Sequence, residues 1–352
     1  LLQGGVGSST NIIVNDVLAN RAGQLLGFEL GTYLVHPNDH VNRSQSTNDV
    51  IPTAAAIAIH RRGLCAVESI TLLIDTLLAK GQEYPKLQHL GRTCLRDALP
   101  LPVRDVHRSY AATISRTLAL LNQSLADLLS VPLGSTAVGT GEGAPVGFTP
   151  VVIRHLAAET SLDIRPADHP FEQLASLEAF AQVGDALAAV GRAAARVARD
   201  LRILASGPVG GLGEIDLPPV QAGSSAMPGK VNPVMPELVM QVSFRLAGAA
   251  HTIQYATQAG ELEVTPMSPV VIDELLFGLD LLGATSALFA ERCISGLRWN
   301  EERVQQNLTG SLTSSVEQVG HQGYEIAAAN YYTASDSPTE ARKAAAQSQE
   351  EM

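Results

Sequence analysis

Apolar residues recur along this chain at alternating steps of three and four, the period of an amphipathic helix, and strict two-residue alternation is nearly absent. The clearest run covers residues 171–206, where Val183, Leu187, Val190, Ala194, Val197, Leu201 and Leu204 form one stripe. Such a stripe predicts a coiled-coil-like seam on a helix of up to about ten turns, with Leu201 facing a neighbouring helix. Comparable helices are predicted at 49–80, 102–129, 233–258 and 269–295, separated by loops rich in Gly, Pro and Ser. Five long helices of similar length predict an all-α fold built on a central helical bundle. The stripes are core packing, so chemistry is expected in the loops at the helix ends. Beyond residue 311 the apolar pattern weakens, and over 330–352 Ala, Ser, Gln, Lys and Glu take over. The predicted organisation is therefore an N-terminal part (1–48), the bundle (49–310), and a small C-terminal subdomain that frays into a poorly packed tail (311–352).

Composition narrows the function classes. A chain of 352 residues with 45% hydrophobic content can bury a sizeable core. A net charge of −11 argues against nucleic acid or an anionic membrane face as partner, because phosphates demand concentrated Lys and Arg. No stretch reaches the roughly 18 to 20 uncharged apolar residues of a membrane span, since Asp273, Glu274 and Asp280 interrupt the greasiest segment. Cys65, Cys94 and Cys293 are scattered and lack metal-ligand spacing, which suits a reducing compartment, and the cytoplasm is the expectation. No signal peptide is visible, and the start at Leu1 leads us to expect a segment ahead of it.

Three loops gather hydroxyl and amide side chains at the ends of predicted helices. The first, Gly5-Val6-Gly7-Ser8-Ser9-Thr10-Asn11, either caps a helix or offers hydroxyls and free N–H groups to an anion. The second, Ser44-Gln45-Ser46-Thr47-Asn48-Asp49, allows the same two readings. The third is more specific: Gly223-Ser224-Ser225-Ala226-Met227-Pro228-Gly229-Lys230-Val231-Asn232-Pro233 packs two serines, a lysine and an amide between helix-breaking residues. His36 and His40 raise the question of a metal, and Cys94 that of a nucleophile. Cys94 has no His near it except His89, five residues back, and no cofactor is expected.

The stretch 223–233 resembles the signature loop of the fumarase/aspartase superfamily. Gly229-Lys230-Val231-Asn232-Pro233 after Met227-Pro228 is similar to the fumarase and aspartase branch in particular. The resemblance extends, in order, over 7–20, 36–53, 91–100, 138–141 and 203–213, and the segments 217–222, 234–237 and 260–263 look more like aspartase than fumarase. It implies a homotetramer on a 20-helix core, with active sites shared by three subunits and a small dicarboxylate as substrate. It also implies Ser224 as general base on a mobile loop, and Lys230, Asn232, Ser225 and Thr93 as donors to the substrate carboxylate. Ser8 takes the place of a family Thr, while Ser46, Thr47 and Asn48 hold the carboxylate and the leaving group. The family has a second anion site around residues like His36 and His40, and its chemistry requires no metal.

Departures bear on the substrate. Cys94 stands where fumarase-type sequences place a His that pairs with the acid corresponding to Glu237. Hydroxide must be protonated to leave, whereas ammonia departs already protonated and nitrite departs as a stable anion. Gly143 replaces an Asn of the pattern, and 265–268 and 319–324 have drifted. The expected function is thus β-elimination from a substituted succinate to fumarate, as in an aspartate ammonia-lyase. The alternatives are a nitrosuccinate lyase releasing nitrite, a fumarase, and a non-catalytic structural relative of the lens-crystallin kind. Cys94, Glu237 and Gly143 are the expected pocket residues, and elimination needs no nucleophile of Cys94.

Overall fold

The computed structural model describes residues 3–309, 311 and 319–327. In chain order the elements are α1 (Ser8–Leu25), α2 (Thr47–Gln82), β1 (Gln88–Thr93), β2 (Arg96–Pro102), α3 (Val103–Asp127), β3 (Ser130–Val131) and α4 (Phe148–Thr160). There follow β4 (Arg165–Pro166), α5 (Pro170–Ala175), α6 (Glu178–Leu204), β5 (Ile215–Asp216), α7 (Val234–Gln258), α8 (Ser268–Phe289), β6 (Arg298–Trp299) and α9 (Glu301–Thr309). The fold is all-α: among the described residues the strands form only two-stranded sheets, β1–β2 and β5–β6 antiparallel and β3–β4 parallel. No helix among the described residues is long and apolar enough to cross a membrane.

The chain divides into two compact units, each discontinuous in sequence. The first comprises Leu1–Ile74, Ala112–Arg199 and Val234–Ala290; the second comprises Asp75–Ala111, Asp200–Pro233 and Glu291–Met352. In the first unit, α7 buries Val239, Val242, Leu246, Ala249 and Ile253 at steps of three and four and packs against α8, which buries Val271, Leu275, Leu279 and Leu282. Arg245 on α7 lies 5.7 Å above the Phe277 ring of α8 and 3.6 Å from the Glu274 carboxylate, so the seam carries an ion pair at its edge. The α6 stripe is fully confirmed as core: Val183, Leu187, Val190, Ala194, Val197, Leu201 and Leu204 are all buried within the single chain.

Two expectations need correction. The helix predicted over 171–206 is broken: Ser176 is extended (φ −126°, ψ 142°), and its Oγ accepts the Glu178 N–H at 3.1 Å, capping α6 as a fresh helix. The apolar stripe continues through the break, so periodicity alone could not reveal it. The near-absence of strand pattern also hid the β1–β2 hairpin, whose register runs from Gln88↔Pro102 to Thr93↔Arg96. The C-terminal subdomain expected over 311–352 lies mostly outside the described residues.

Candidate active site

The first unit holds the α1 and α2 loops. A tight turn at Gly5–Gly7, with Val6 and Gly7 at positive φ, delivers the chain into α1, and no side chain caps that helix. Ser8 therefore begins α1 directly after a left-handed Gly7 that has no side chain to cap the helix. The second loop does cap its helix. Ser46 Oγ accepts the Asn48 N–H at 3.2 Å, and the Asp49 carboxylate accepts the Ser46 N–H at 2.9 Å, a reciprocal capping box at the start of α2.

Asp49 does more than cap. It is fully buried, and its second oxygen accepts the N–H groups of Gly134 (3.0 Å) and Thr136 (2.8 Å). Asn48 donates to the Ala137 carbonyl at 2.8 Å, so the 134–137 loop is laced to the α2 start. Burial raises the Asp49 pKa above the ordinary value, against the opposing pull of the Ser46, Thr136 and Gly134 N–H groups. Thr47 Oγ1 accepts from the buried Asn11 amide at 3.1 Å. Ser46, Thr47 and Asn48 are thus held together by α2. Gly143 lies farther along, exposed and at φ 89°, a left-handed position that glycine and asparagine both tolerate. Glu237 sits half-buried in the first turn of α7. Sequence reasoning missed Asp49, although the Ser-x-x-Asp spacing of a capping box was there to be read.

The second unit holds the signature loop. Ser224 Oγ accepts the N–H groups of Ala226 (3.1 Å) and Met227 (3.0 Å), so two backbone donors converge on the hydroxyl oxygen. That arrangement stabilises negative charge on the oxygen while leaving the hydroxyl proton free to depart. The loop is closed at its base: the Gly223 N–H donates to the Lys230 carbonyl at 3.1 Å, and the Asn232 amide donates to the Gly223 carbonyl at 2.8 Å. A Cβ at position 223 would lie 2.2 Å from the Lys230 carbonyl oxygen, so only glycine permits this closure. Ser225 and Lys230 are exposed on the loop, the first beside Ser224 and the second at the far side of the Gly229 turn. The loop thus brings together Ser224, Ser225, Lys230 and Asn232.

The hairpin is also in the second unit. Thr93 ends β1 and is exposed, and Cys94 and Leu95 form a two-residue turn with φ of 51° and 61°. Cys94 is exposed in the single chain. His36, in the first unit, spends its Nδ1 on the N–H groups of Asn38 (3.2 Å) and Asp39 (3.1 Å). That ring nitrogen therefore caps a turn.

Comparison with known proteins agrees with this picture. A family model described as a lyase matches residues 1–248. The chain is 38% identical over 332 residues to the aspartate ammonia-lyase of Bacillus subtilis, covering 93% of this chain and 69% of that one. It is 40% identical over 312 residues to the class II fumarate hydratase of Thermus thermophilus, covering 88% of this chain and 66% of that one. The structure matches the class II fumarase of Schistosoma mansoni with a TM-score of 0.90 at 32% identity, covering 93% of this chain and 72% of that one. This chain belongs to the fumarase/aspartase superfamily, and it is a lyase.

Proposed function

We propose that this lyase removes a proton and a leaving group from adjacent carbons of a substituted succinate, and that aspartate is the substrate, giving fumarate and ammonia. The observation that carries the reading is Ser224 Oγ under two converging N–H groups in a loop that also bears Lys230 and Asn232. In this reading the Ser224 alkoxide takes the proton from the carbon beside a carboxylate. The C–H electron pair then moves into that carboxylate as an aci-acid dianion, and expulsion of the leaving group completes the alkene. Stabilising the second charge is the largest requirement. Lys230 supplies the countercharge, while Thr47, Thr93, Ser225 and Asn232 supply directed hydrogen bonds. Ser8, Ser46 and Asn48 hold the remaining carboxylate and the amine.

The proposal includes a cytoplasmic homotetramer with each site shared by three subunits, and the sequential organisation 1–48, 49–310 and 311–352. What supports assembly is apolar surface: Ile12, Ile13, Val17 and Leu18 on α1, with Phe244 and Tyr255 on α7, are each more than half exposed in the single chain. Cys94 favours a leaving group that needs no proton from the enzyme. A nitrosuccinate lyase is the second reading, favoured by Gly143 in place of an amide that could hold an amine.

Steady-state kinetics of wild type and Cys94→His with aspartate, nitrosuccinate and malate test the leaving group. The wild type is expected to turn over aspartate, and the histidine to leave that rate unchanged or lower it while any malate rate rises. A large gain on aspartate or nitrosuccinate would show that acid catalysis limits the reaction, and would remove the argument against a fumarase.

A further inference from the structure

Thr93 stands at the exposed end of a two-stranded hairpin, an element that is marginal on its own. The turn beyond it is strained, since Cys94 and Leu95 occupy positive φ values that hairpins usually give to Asn-Gly. The position of Thr93 therefore depends on what anchors the strand behind it. The strand is irregular between Leu90 and Arg92, and Gly91 lies so close to β2 that an added Cβ would sit 2.6 Å from the Leu99 carbonyl oxygen. Such a bulge redirects the next side chain.

That side chain is Arg92, and it meets Glu214. Arg92 Nη2 donates to Oε1 at 2.6 Å and Nη1 to Oε2 at 3.1 Å, a two-pronged pair. Glu214 is completely buried. Asn307 of α9 donates to its Oε1 at 2.7 Å, and His89 lies 3.5 Å from Oε2. The Glu214 backbone is fixed as well, its N–H donating to the Leu204 carbonyl and its carbonyl accepting from Asn300, both at 2.9 Å. Burial alone would raise the Glu214 pKa, but His89, Arg92 and Asn307 reverse that and hold it at about 2. The carboxylate is therefore ionised at neutral pH.

A buried ion pair is a weak source of stability, because dehydrating both charges offsets their attraction. A bidentate guanidinium–carboxylate fork does supply a fixed direction. We infer that Arg92 and Glu214 are positioning residues that hold the Thr93 hydroxyl where the substrate carboxylate binds. This inference rests on the reading of Thr93 as a carboxylate donor.

A double-mutant cycle tests it. Glu214→Gln keeps the shape and removes the charge, and is expected to lower kcat/KM on aspartate by roughly tenfold to a hundredfold, chiefly through KM, as misplacement of a binding group does. Thr93→Ala is expected to do the same, and the double variant to be no worse than Thr93→Ala alone. Arg92→Lys gives a second cycle should Glu214→Gln fail to fold. Losses that multiply, a KM unmoved by either variant, or failure of both variants to fold would assign the pair to the general fold and overturn the inference. If Thr93→Ala itself left KM unchanged, the role given to Thr93 in the proposed function would fail, and this inference with it. If only the Glu214 and Arg92 variants were silent, the role of Thr93 would stand.

Discussion

Ser224→Ala is expected to lower kcat by about two to four orders of magnitude, the range for loss of a positioned general base. The methyl group cannot accept or release a proton, and the Ala226 and Met227 N–H groups that converge on the Ser224 oxygen would then face no acceptor there. Folding should survive, because the loop closes through Gly223, Lys230 and Asn232 and owes little to the hydroxyl. Circular dichroism and the melting temperature should therefore match the wild type while turnover collapses. KM should change much less than kcat, since Ser224 acts on the proton and not on the carboxylates. An unchanged kcat would remove Ser224 from the mechanism.

Leu201→Asp is expected to unfold the protein or to lower its melting temperature by more than any surface substitution. Leu201 is fully buried in the single chain, at the C-terminal end of the α6 stripe. A carboxylate there loses its water and gains no planned partner, a cost of roughly 3 to 5 kcal/mol, comparable with the whole stability of a modest domain. Gln182→Asp, at an exposed position on the same helix, is the control and should change little. Thermal melts of the two variants decide it. The sequence stripe suggested that Leu201 faces a neighbouring helix, and its complete burial within one chain means that the effect should appear in folding before it appears in assembly.

Much of this was legible from residue order. The helices predicted at 49–80, 102–129 and 233–258 correspond to Thr47–Gln82, Val103–Asp127 and Val234–Gln258, because helix-breaking and capping residues stand at their ends. The segment predicted at 269–295 is α8 followed by a π-helical turn at Ala290–Ile294, a local rewinding that preserves the apolar period. The break at Ser176 and the hairpin were less legible, since an apolar stripe crosses the first and the second is short and interrupted by Gly91 and Pro100. At the site, the signature loop declared itself by composition, two serines, a lysine and an amide between helix breakers. The buried carboxylates did not. Asp49 shows in the sequence only as the far end of a Ser-x-x-Asp capping box and Glu214 as any surface acid, and only the structure brings the Gly134 and Thr136 N–H groups to the first and Arg92, Asn307 and His89 to the second. Cys94 was legible as a departure, but its exposed place in a strained turn depends on the hairpin and could not be read without it.

The decisive measurement is turnover by the purified wild-type protein of aspartate, nitrosuccinate, malate and argininosuccinate, each followed by the absorbance of fumarate and by assay of the released group. Serine-base elimination with an amine leaving group predicts fumarate and ammonia in equal amounts from aspartate, with little or no reaction of malate. Absence of fumarate from all four substrates would overturn the assignment of this chain as a fumarate-forming elimination catalyst.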